Sequence, residues 1–187
     1  MLYLDDNISG FSLDEALLQL PAWRRDVALR HRRETDRRLS VAAYRLLCRG
    51  LRAEYGITEP PAFAYAEGGK PCIEGHPEIH FNLSHCPAAA LCAISPAAVG
   101  ADIELIRPYN PALARRVLSP GELARVEASA QPEVEFACLW TMKESLLKLT
   151  GEGIRRELKS ALDGAEARFA TTVNMARGYV FTVCTEK

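Results

Sequence analysis

Residues 36–51 have the sequence DRRLSVAAYRLLCRGL, in which apolar side chains recur at the spacing of one helix face. The apolar positions are Leu39, Ala42, Ala43, Leu46, Leu47 and Leu51. This spacing predicts an amphipathic helix that starts near Asp36 and stops at Gly56, a residue suited to a helix end. We expect this helix to carry the core of the first part of the chain.

Short strand patterns and further helix patterns lie on both sides of that segment. Strands are predicted over residues 2–4, 62–66, 80–83, 89–94, 97–105 and 179–184, and a weak helix over residues 13–20. A turn is predicted at Gly68 and Gly69, and Phe81 to His85 is interpreted as a strand that ends in a polar turn. Ser119, Pro120 and Glu122 have the form of a capped helix start. A second long helix is predicted over residues 134–149, with Gly151 and Gly153 as its stop.

Each half of the chain therefore offers one long helix and several short strands, which predicts an α+β fold. The two halves have similar content, so a pseudo-dimer of two α+β halves is a further hypothesis. The boundary would fall near residues 95–98, which gives domains of residues 1–96 and 97–187.

Composition narrows the class of protein. The 187 residues include 23 basic and 24 acidic side chains, for a net charge of −1, so bulk charge does not indicate a nucleic-acid binder. No apolar run is long enough to span a membrane, and the start of the chain lacks a signal-peptide pattern, so we expect a cytoplasmic protein without membrane attachment. The six cysteines are scattered and contain no C-x-x-C pair, which favours reduced thiols over disulfides.

Asp102 and Glu104 are two residues apart on a predicted strand, so both carboxylates point to the same face. Two like charges on one face repel unless a cation lies between them, and oxygen ligands favour magnesium or calcium over zinc. An acidic edge strand facing solvent is the alternative interpretation.

Glu144 and Lys148 are four residues apart on the second long helix, and Lys143 adjoins them. Taken alone, Glu144 and Lys148 are an ordinary ion pair on a helix surface. A third carboxylate beside a lysine could also complete a metal and phosphate site, with Trp140 one turn earlier on the same side.

Other polar groups are ambiguous when taken singly. Ser84 and His85 point apart on a strand and make a poor nucleophile–base pair, so contact with a phosphate is the better functional interpretation. Gly69, Lys70 and Pro71 form a turn that lacks the Walker pattern. An arginine-rich segment covers residues 24–38 and either binds a phosphate-rich ligand or coats a solvated helix.

In order and spacing, four strings together resemble the 4′-phosphopantetheinyl transferases, specifically the monomeric type that activates peptide synthetases and acyl carrier proteins. The strings are Gly69-Lys70-Pro71, Phe81-Asn82-Leu83-Ser84-His85, Gly100-Ala101-Asp102-Ile103-Glu104 and the run from Trp140 to Lys148. The resemblance implies two similar α+β halves with coenzyme A in the cleft between them.

The resemblance also implies roles for individual residues. Asp102, Glu104 and Glu144 would hold magnesium, with manganese as a possible substitute. Glu144, or a metal-bound water, would accept the serine proton, and Lys148 would contact the phosphates.

Coenzyme A would be the co-substrate, and its expected contacts come from both halves. His85 and an early arginine would hold its 3′-phosphate, with Arg38 as the match on the core helix and Arg24 or Arg25 as an earlier basic contact. Lys70 and Pro71 would flank the adenine. Ser84 and Lys143 complete the set of expected coenzyme contacts.

The implied reaction moves phosphopantetheine onto a serine of an apo acyl or peptidyl carrier protein. Arginines between Arg107 and Arg125 would meet the carrier, unless they only solvate two helices. The alternatives are a non-catalytic coenzyme A-binding module and a metal-dependent phosphohydrolase.

Overall fold

The helix predicted from residues 36–51 is the main support of the first half. A computed structural model describes residues 1–65, 69–151 and 158–187, and in it this helix, α3, runs from Glu34 to Tyr55. Gly56 ends it in the left-handed conformation, with φ of 68°, which a residue without a Cβ adopts at no steric cost. The predicted helix and its stop are therefore confirmed.

The other elements follow in chain order. The first half contains β1 (Leu2–Asp5), α1 (Leu13–Gln19), α2 (Ala22–Leu29), β2 (Phe63–Tyr65), β3 (Pro71–Ile73), β4 (His80–Cys86) and β5 (Ala89–Ser95). The second contains β6 (Val99–Leu105), α4 (Pro111–Val117), α5 (Pro120–Glu127), α6 (Pro132–Thr150), a 3-10 turn (Leu158–Ser160), β7 (Ala167–Asn174) and β8 (Tyr179–Glu186).

Two antiparallel sheets of three strands organise these elements. In the first half the strand order is β1-β5-β4, and the apolar side of α3 packs on this sheet through residues such as Leu47 and Leu51. In the second half the order is β6-β8-β7, and α6 packs on that sheet through Leu146 and Leu149. The mixed helix and sheet content confirms the predicted α+β class.

Side chains, rather than a backbone ladder, bond β4 to β6 where the sheets meet. The backbone N–H of Ala101 donates to Asn82 Oδ1 at 2.9 Å, and that of Ile103 donates to Ser84 Oγ at 3.3 Å. Leu91 from β5 packs with Ile103 in one buried apolar cluster behind these bonds. The position of β6 is thus fixed relative to β4.

We call this contact between the halves the seam, and two further polar ties, each a set of hydrogen bonds, reinforce it. Lys70 Nζ donates to the carbonyl oxygens of Val99 and Leu149, at 3.1 Å each. Tyr179 donates from its hydroxyl to Asp6 Oδ2 at 3.3 Å. Each tie joins an element of the first half to one of the second.

The capping pattern at Ser119 is confirmed in full. Ser119 Oγ accepts from the backbone N–H of Glu122, and Glu122 Oε2 accepts from that of Ser119 at 2.7 Å. The six cysteines are free, as expected. No helix within residues 1–65, 69–151 and 158–187 is long and apolar enough to cross a bilayer.

Three features differ from the sequence interpretation. The strand that begins at His80 continues to Cys86, so Ser84 and His85 lie within β4 and not in a polar turn. Helix α2 lies inside the arginine-rich segment, where charge concealed its short apolar pattern. Strand β3 was not predicted because Pro71, its first residue, was assigned to the preceding turn. Gly68 of the predicted turn and Gly153 of the predicted helix stop lie outside the described residues.

Gly100 is the position where β6 approaches α6 most closely, and a side chain there is expected to be costly. A Cβ on Gly100 would lie 2.6 Å from the backbone nitrogen of Leu149 and closer still to the carbonyl oxygen of Ser145. Backbone atoms inside a helix cannot yield as a flexible side chain does. We expect Gly100→Ala to lower the free energy of unfolding by about 2–3 kcal/mol, measured by urea denaturation.

Gly121 in α5 provides the control, because no heavy atom of the described residues lies within 4 Å of a Cβ placed there. Gly121→Ala should leave stability unchanged or raise it by up to about 1 kcal/mol. Equal losses in the two variants would contradict the close approach of β6 to α6.

Candidate active site

Three elements bring Ser84, Asp102 and Lys148 into direct contact. Lys148 Nζ, on α6, donates to Asp102 Oδ1 at 2.6 Å and to Ser84 Oγ at 3.0 Å. Ser84 Oγ, on β4, donates to the same Asp102 oxygen at 2.9 Å. Asp102 is 4% exposed, so its carboxylate depends on these two partners in place of water. The structure thus joins candidate residues from three separate motifs.

The ammonium of Lys148 pairs with Asp102, which lies 46 residues earlier in the chain, and not with its helix neighbour as an ordinary surface pair would. Burial and the charge of Asp102 raise the pKa of Glu144, and Lys148 is close enough for its positive charge to reduce that rise. The interpretation of Glu144 and Lys148 as a simple helix ion pair is therefore wrong.

Glu104 and Glu144 are half-buried beside this group. Burial raises the pKa of Glu104 above its ordinary value, and the negative charge of Asp102 raises it further. The pKa of Glu144 is raised by the same two causes in the same order. Three carboxyl groups from β6 and α6 therefore share one electrostatic environment.

The two carboxylate oxygens of Asp102 differ in their contacts. Oδ2 of Asp102 is inaccessible to solvent and has no hydrogen-bond partner among the described residues. Such an orphaned carboxylate oxygen, next to two carboxyl groups with raised pKa values, fits a hard divalent cation. As the side chains stand, no three His, Cys, Asp or Glu residues in the described parts of the chain are grouped at metal-binding distance.

His85 lies on the opposite side of β4 from Ser84, as the alternation of a strand predicts. Its side chain is partly exposed, yet burial by the surrounding protein lowers its pKa, and the positive charges of Lys148 and His31 lower it further. Asp36 acts in the other direction. The basic surroundings of His85 include His31, which the sequence alone did not single out.

Lys70 bonds inward from its turn to the second half of the chain. Its ammonium is half-buried and is held by the carbonyl oxygens of Val99 and Leu149 described above. Burial lowers the pKa of Lys70. Gly69 precedes it with φ of 77°, and Pro71 begins β3. In this structure Lys70 bonds the turn to the end of α6, and its contact with an adenine remains a prediction.

Lys143 is fully buried and points away from a coenzyme role. Its side chain is 0% exposed, and Nζ forms an ion pair with Glu122 at 2.9 Å. Nζ also donates to the carbonyl oxygen of Leu158 at 2.7 Å. These contacts connect α6 to the capped start of α5, so they favour a structural role over the predicted contact with coenzyme A.

Arg24 and Arg38 are both engaged within the first half. Arg24 is 6% exposed and donates from Nη2 to the carbonyl oxygen and hydroxyl of Ser40, at 2.7 and 2.8 Å. Arg38 donates to Glu34 at 2.9 Å and to the carbonyl oxygen of Phe11 at 2.7 Å. Their expected contacts with a phosphate remain predictions, and burial makes Arg24 the weaker candidate.

A hollow of about 430 Å³ opens beside Glu104 and was not predicted from the sequence. Its walls include Phe136 and Trp140 from α6 and Leu113 from α4, with Arg107 at its border. Phe136 and Trp140 are four residues apart on one helix face, with rings 6.2 Å apart. That spacing was the available sequence signal, but an aromatic pair of this kind is more often part of a core.

Comparison with known proteins identifies a family. The model of the 4′-phosphopantetheinyl transferase superfamily matches residues 98–182, which include β6 and α6. A 4′-phosphopantetheinyl transferase of Bacillus subtilis is 28% identical over 98% of this chain and 89% of its own length. The transferase psf-1 of Bacillus pumilus is 32% identical over 84% of this chain and 69% of its own length. The transferase Sfp of Bacillus subtilis strain 168 is 38% identical over 52% of this chain and 45% of its own length.

The mixed helix and sheet content and the named relatives together define a transferase. The chain belongs to the 4′-phosphopantetheinyl transferase superfamily. The family resemblance found in the four sequence strings is thereby confirmed.

The two roles considered for Lys143 can be separated by one substitution. Lys143→Met leaves Glu122 buried without its cation, so we expect the free energy of unfolding to fall by about 3–5 kcal/mol. Arg125→Met is the control, because the side chain of Arg125 is 61% exposed in its pair with Glu135. That control should lose about 1 kcal/mol or less in the same denaturation experiment.

A coenzyme contact would give the opposite pattern for Lys143→Met. Stability would then be unchanged, while the dissociation constant for coenzyme A in calorimetry would rise.

Proposed function

We propose that this protein transfers 4′-phosphopantetheine from coenzyme A to a serine of an apo acyl or peptidyl carrier protein and releases 3′,5′-adenosine bisphosphate. The observation that carries the proposal is the buried contact of Lys148 with Asp102 and Ser84, beside Glu104 and Glu144. Family membership supports the same reaction. A pure coenzyme A-binding module would not need two additional carboxyl groups at this place.

The proposed architecture is a pseudo-dimer of residues 1–96 and 97–187, with coenzyme A in the cleft between the halves. Each half has one three-stranded antiparallel sheet with one long helix packed on it, which supports the proposal. Candidate residues also come from both sides, since Ser84 and His85 lie on β4 while the carboxyl groups lie on β6 and α6.

Asp102, Glu104 and Glu144 are the residues proposed to hold a divalent cation, with magnesium preferred and manganese possible. The unpartnered Oδ2 of Asp102 and the raised pKa values of the two glutamates support this set. When bound, the cation would neutralise negative charge on the pyrophosphate of coenzyme A.

Lys148 is proposed to contact the reacting phosphate. Its ammonium is half-buried, where an ionic hydrogen bond is stronger than in water, and it already bonds one anion. On coenzyme binding, a phosphate oxygen would share or replace the contact with Asp102. Ser84, which bonds the same ammonium, would orient it.

Glu144 is proposed to accept the proton of the carrier serine. Burial and the charge of Asp102 raise the pKa of Glu144, which brings the carboxyl closer to the range in which a general base is effective. His85, in the basic surroundings that it shares with His31, is proposed to bind the 3′-phosphate of coenzyme A.

The hollow beside Glu104 is proposed to receive the pantetheine chain. Trp140, Phe136 and Leu113 give it apolar walls that suit a flexible chain with few charges. The hollow includes Glu104 itself, so a chain lying there would be next to the proposed cation ligands.

The test of function is transfer to an apo carrier in the presence of coenzyme A and magnesium, followed by intact-protein mass spectrometry. We expect the carrier to gain the mass of one phosphopantetheinyl group and adenosine bisphosphate to appear only when carrier is present. No mass gain across several carriers would favour the binding module. Phosphate release from coenzyme A without carrier would favour the phosphohydrolase.

If Glu144 is the base, its loss should lower turnover without lowering the affinity for coenzyme A. Glu144→Gln keeps the size of the side chain but removes the basic carboxylate, so turnover should fall by about a hundredfold or more. The dissociation constant for coenzyme A, measured by calorimetry without carrier, should change little. Glu127→Gln, on the exposed end of α5, is the control and should behave as wild type. Equal losses of turnover and coenzyme affinity would leave Glu144 as a cation ligand only.

Arg115 and Arg116 are proposed to meet the acidic surface of the carrier. Both are exposed on α4, the helix that also supplies Leu113 to the hollow beside Glu104. Reversal of both charges (Arg115→Glu with Arg116→Glu) should raise the KM for the carrier about tenfold and leave that for coenzyme A unchanged. Arg168→Glu with Lys187→Glu makes the same change of net charge at two exposed positions away from α4 and is the control. An unchanged KM for the carrier would remove this surface from the proposal.

A further inference from the structure

A second hollow lies between α1, the later turns of α3 and residues 58–60, and we name it the α1–α3 hollow. Its volume is about 520 Å³, within the roughly 300–1,000 Å³ of small-molecule sites. Aliphatic groups form much of its wall, including Leu20, Pro21 and Pro60. None of its lining residues belongs to the carboxylate site or to the hollow beside Glu104.

Three arginines of α3 line the α1–α3 hollow, and no acidic residue from the described part of the chain does. Arg45, Arg49 and Arg52 are spaced four and three residues apart, so their side chains share one helix face. None of them forms an ion pair with any residue in ranges 1–65, 69–151 and 158–187. Like charges at this spacing cost a helix a few tenths of a kcal/mol per pair, so the row is unfavourable without an anion.

Two of these arginines have their guanidinium groups over aromatic rings that do not belong to the lining of the hollow. The guanidinium of Arg45 lies 4.9 Å from the ring centre of Phe11, and that of Arg49 lies 5.7 Å from the ring centre of Tyr3. Such contacts are worth about 0.5–1 kcal/mol at an exposed site and reduce the freedom of the side chain. The positive charge is therefore partly ordered before any ligand binds.

Two acidic groups close to this row are already engaged. Glu54 accepts a 2.6 Å hydrogen bond from the hydroxyl of Tyr3. Asp5 accepts a 2.9 Å hydrogen bond from the backbone N–H of Asn7. Neither carboxylate is within ion-pair distance of Arg45, Arg49 or Arg52. Asp5 lines a neighbouring hollow together with Arg45 and Arg49, so part of the charge of the row faces a carboxylate there. Arg52 lines the α1–α3 hollow, to which no acidic residue of the described ranges contributes.

We propose that the α1–α3 hollow binds an amphiphilic monoanion of the fatty-carboxylate class. The alkyl chain would lie on the aliphatic wall, and the carboxylate would bond Arg52 and also Arg49, whose guanidinium would turn from the ring of Tyr3 toward the hollow. Guanidinium groups match a carboxylate in shape and charge. A nucleotide suits the hollow less well, because Tyr44, its aromatic residue, already uses its hydroxyl on the carbonyl oxygen of Pro61. This site is independent of the proposed transfer reaction.

The probe for the test is decanoate, titrated into the full chain by calorimetry below its micelle concentration. We expect saturable binding of one decanoate per chain. Arg49→Glu with Arg52→Glu should weaken it at least about tenfold, because two attractive charges become repulsive. Arg115→Glu with Arg116→Glu is the matched control, since it makes the same charge change on α4, and it should bind as wild type.

Two further experiments distinguish binding inside the hollow from charge attraction alone. Ala53 is exposed at the wall, so Ala53→Trp should fill the hollow and abolish binding while leaving the chain folded. Decyltrimethylammonium, which has the same chain length and the opposite charge, should not bind. Binding of both amphiphiles with equal strength would overturn the proposal.

Coenzyme A distinguishes this site from the active site. Saturating coenzyme A should leave decanoate affinity unchanged, and the double variant Arg49→Glu with Arg52→Glu should keep its transfer rate when no decanoate is present. Loss of decanoate binding in the presence of coenzyme A would show that the hollow belongs to the coenzyme site and would overturn the proposal. The binding arms need no transfer activity, so failure of the proposed function would not affect them.

Discussion

The hydroxyl of Ser84 is the group on which the seam and the site both depend. It accepts the backbone N–H of Ile103, which holds β6 against β4. It also donates to Asp102 and accepts from Lys148, which fixes the buried charges. Ser84 therefore helps to fix the distance between the two sheets and the orientation of the Asp102 and Lys148 side chains in the proposed site. A larger residue could not satisfy these contacts in the same space.

Sequence periodicity predicted the parts of the fold that bury a continuous apolar face. Helix α3 was evident because Leu47 and its neighbours repeat at the helical period, and strand β5 because it is a short apolar run, which the structure buries on both faces. Helix α2 was missed because the apolar pattern in its eight residues is interrupted by Arg24, Arg25 and Asp26. Arg24 is buried there through bonds to Ser40, which no local pattern indicates.

Candidate site residues were found through their motifs, but their partners depended on the tertiary structure. Lys143 and Lys148 are two lysines of one helix, and the sequence offered both as ligand contacts. The fold places the first in a dry environment with Glu122 and the second beside Asp102. A five-residue separation turns a helix by more than one full turn, so each lysine meets a different layer of the protein. The acidic partner of Lys143 comes from α5, and that of Lys148 comes from strand β6, 46 residues earlier in the chain.

The seam between the halves is comparable to an interface between two proteins that are joined by a covalent linker. It consists of one apolar cluster and several polar bonds, including those of Ser84 with Asp102 and Lys148. Residues 96–98 are the short connection between β5 and β6, and they keep the two sides at a high effective concentration. Association of the halves thus costs little entropy, so the contacts at the seam can be polar without allowing the halves to separate.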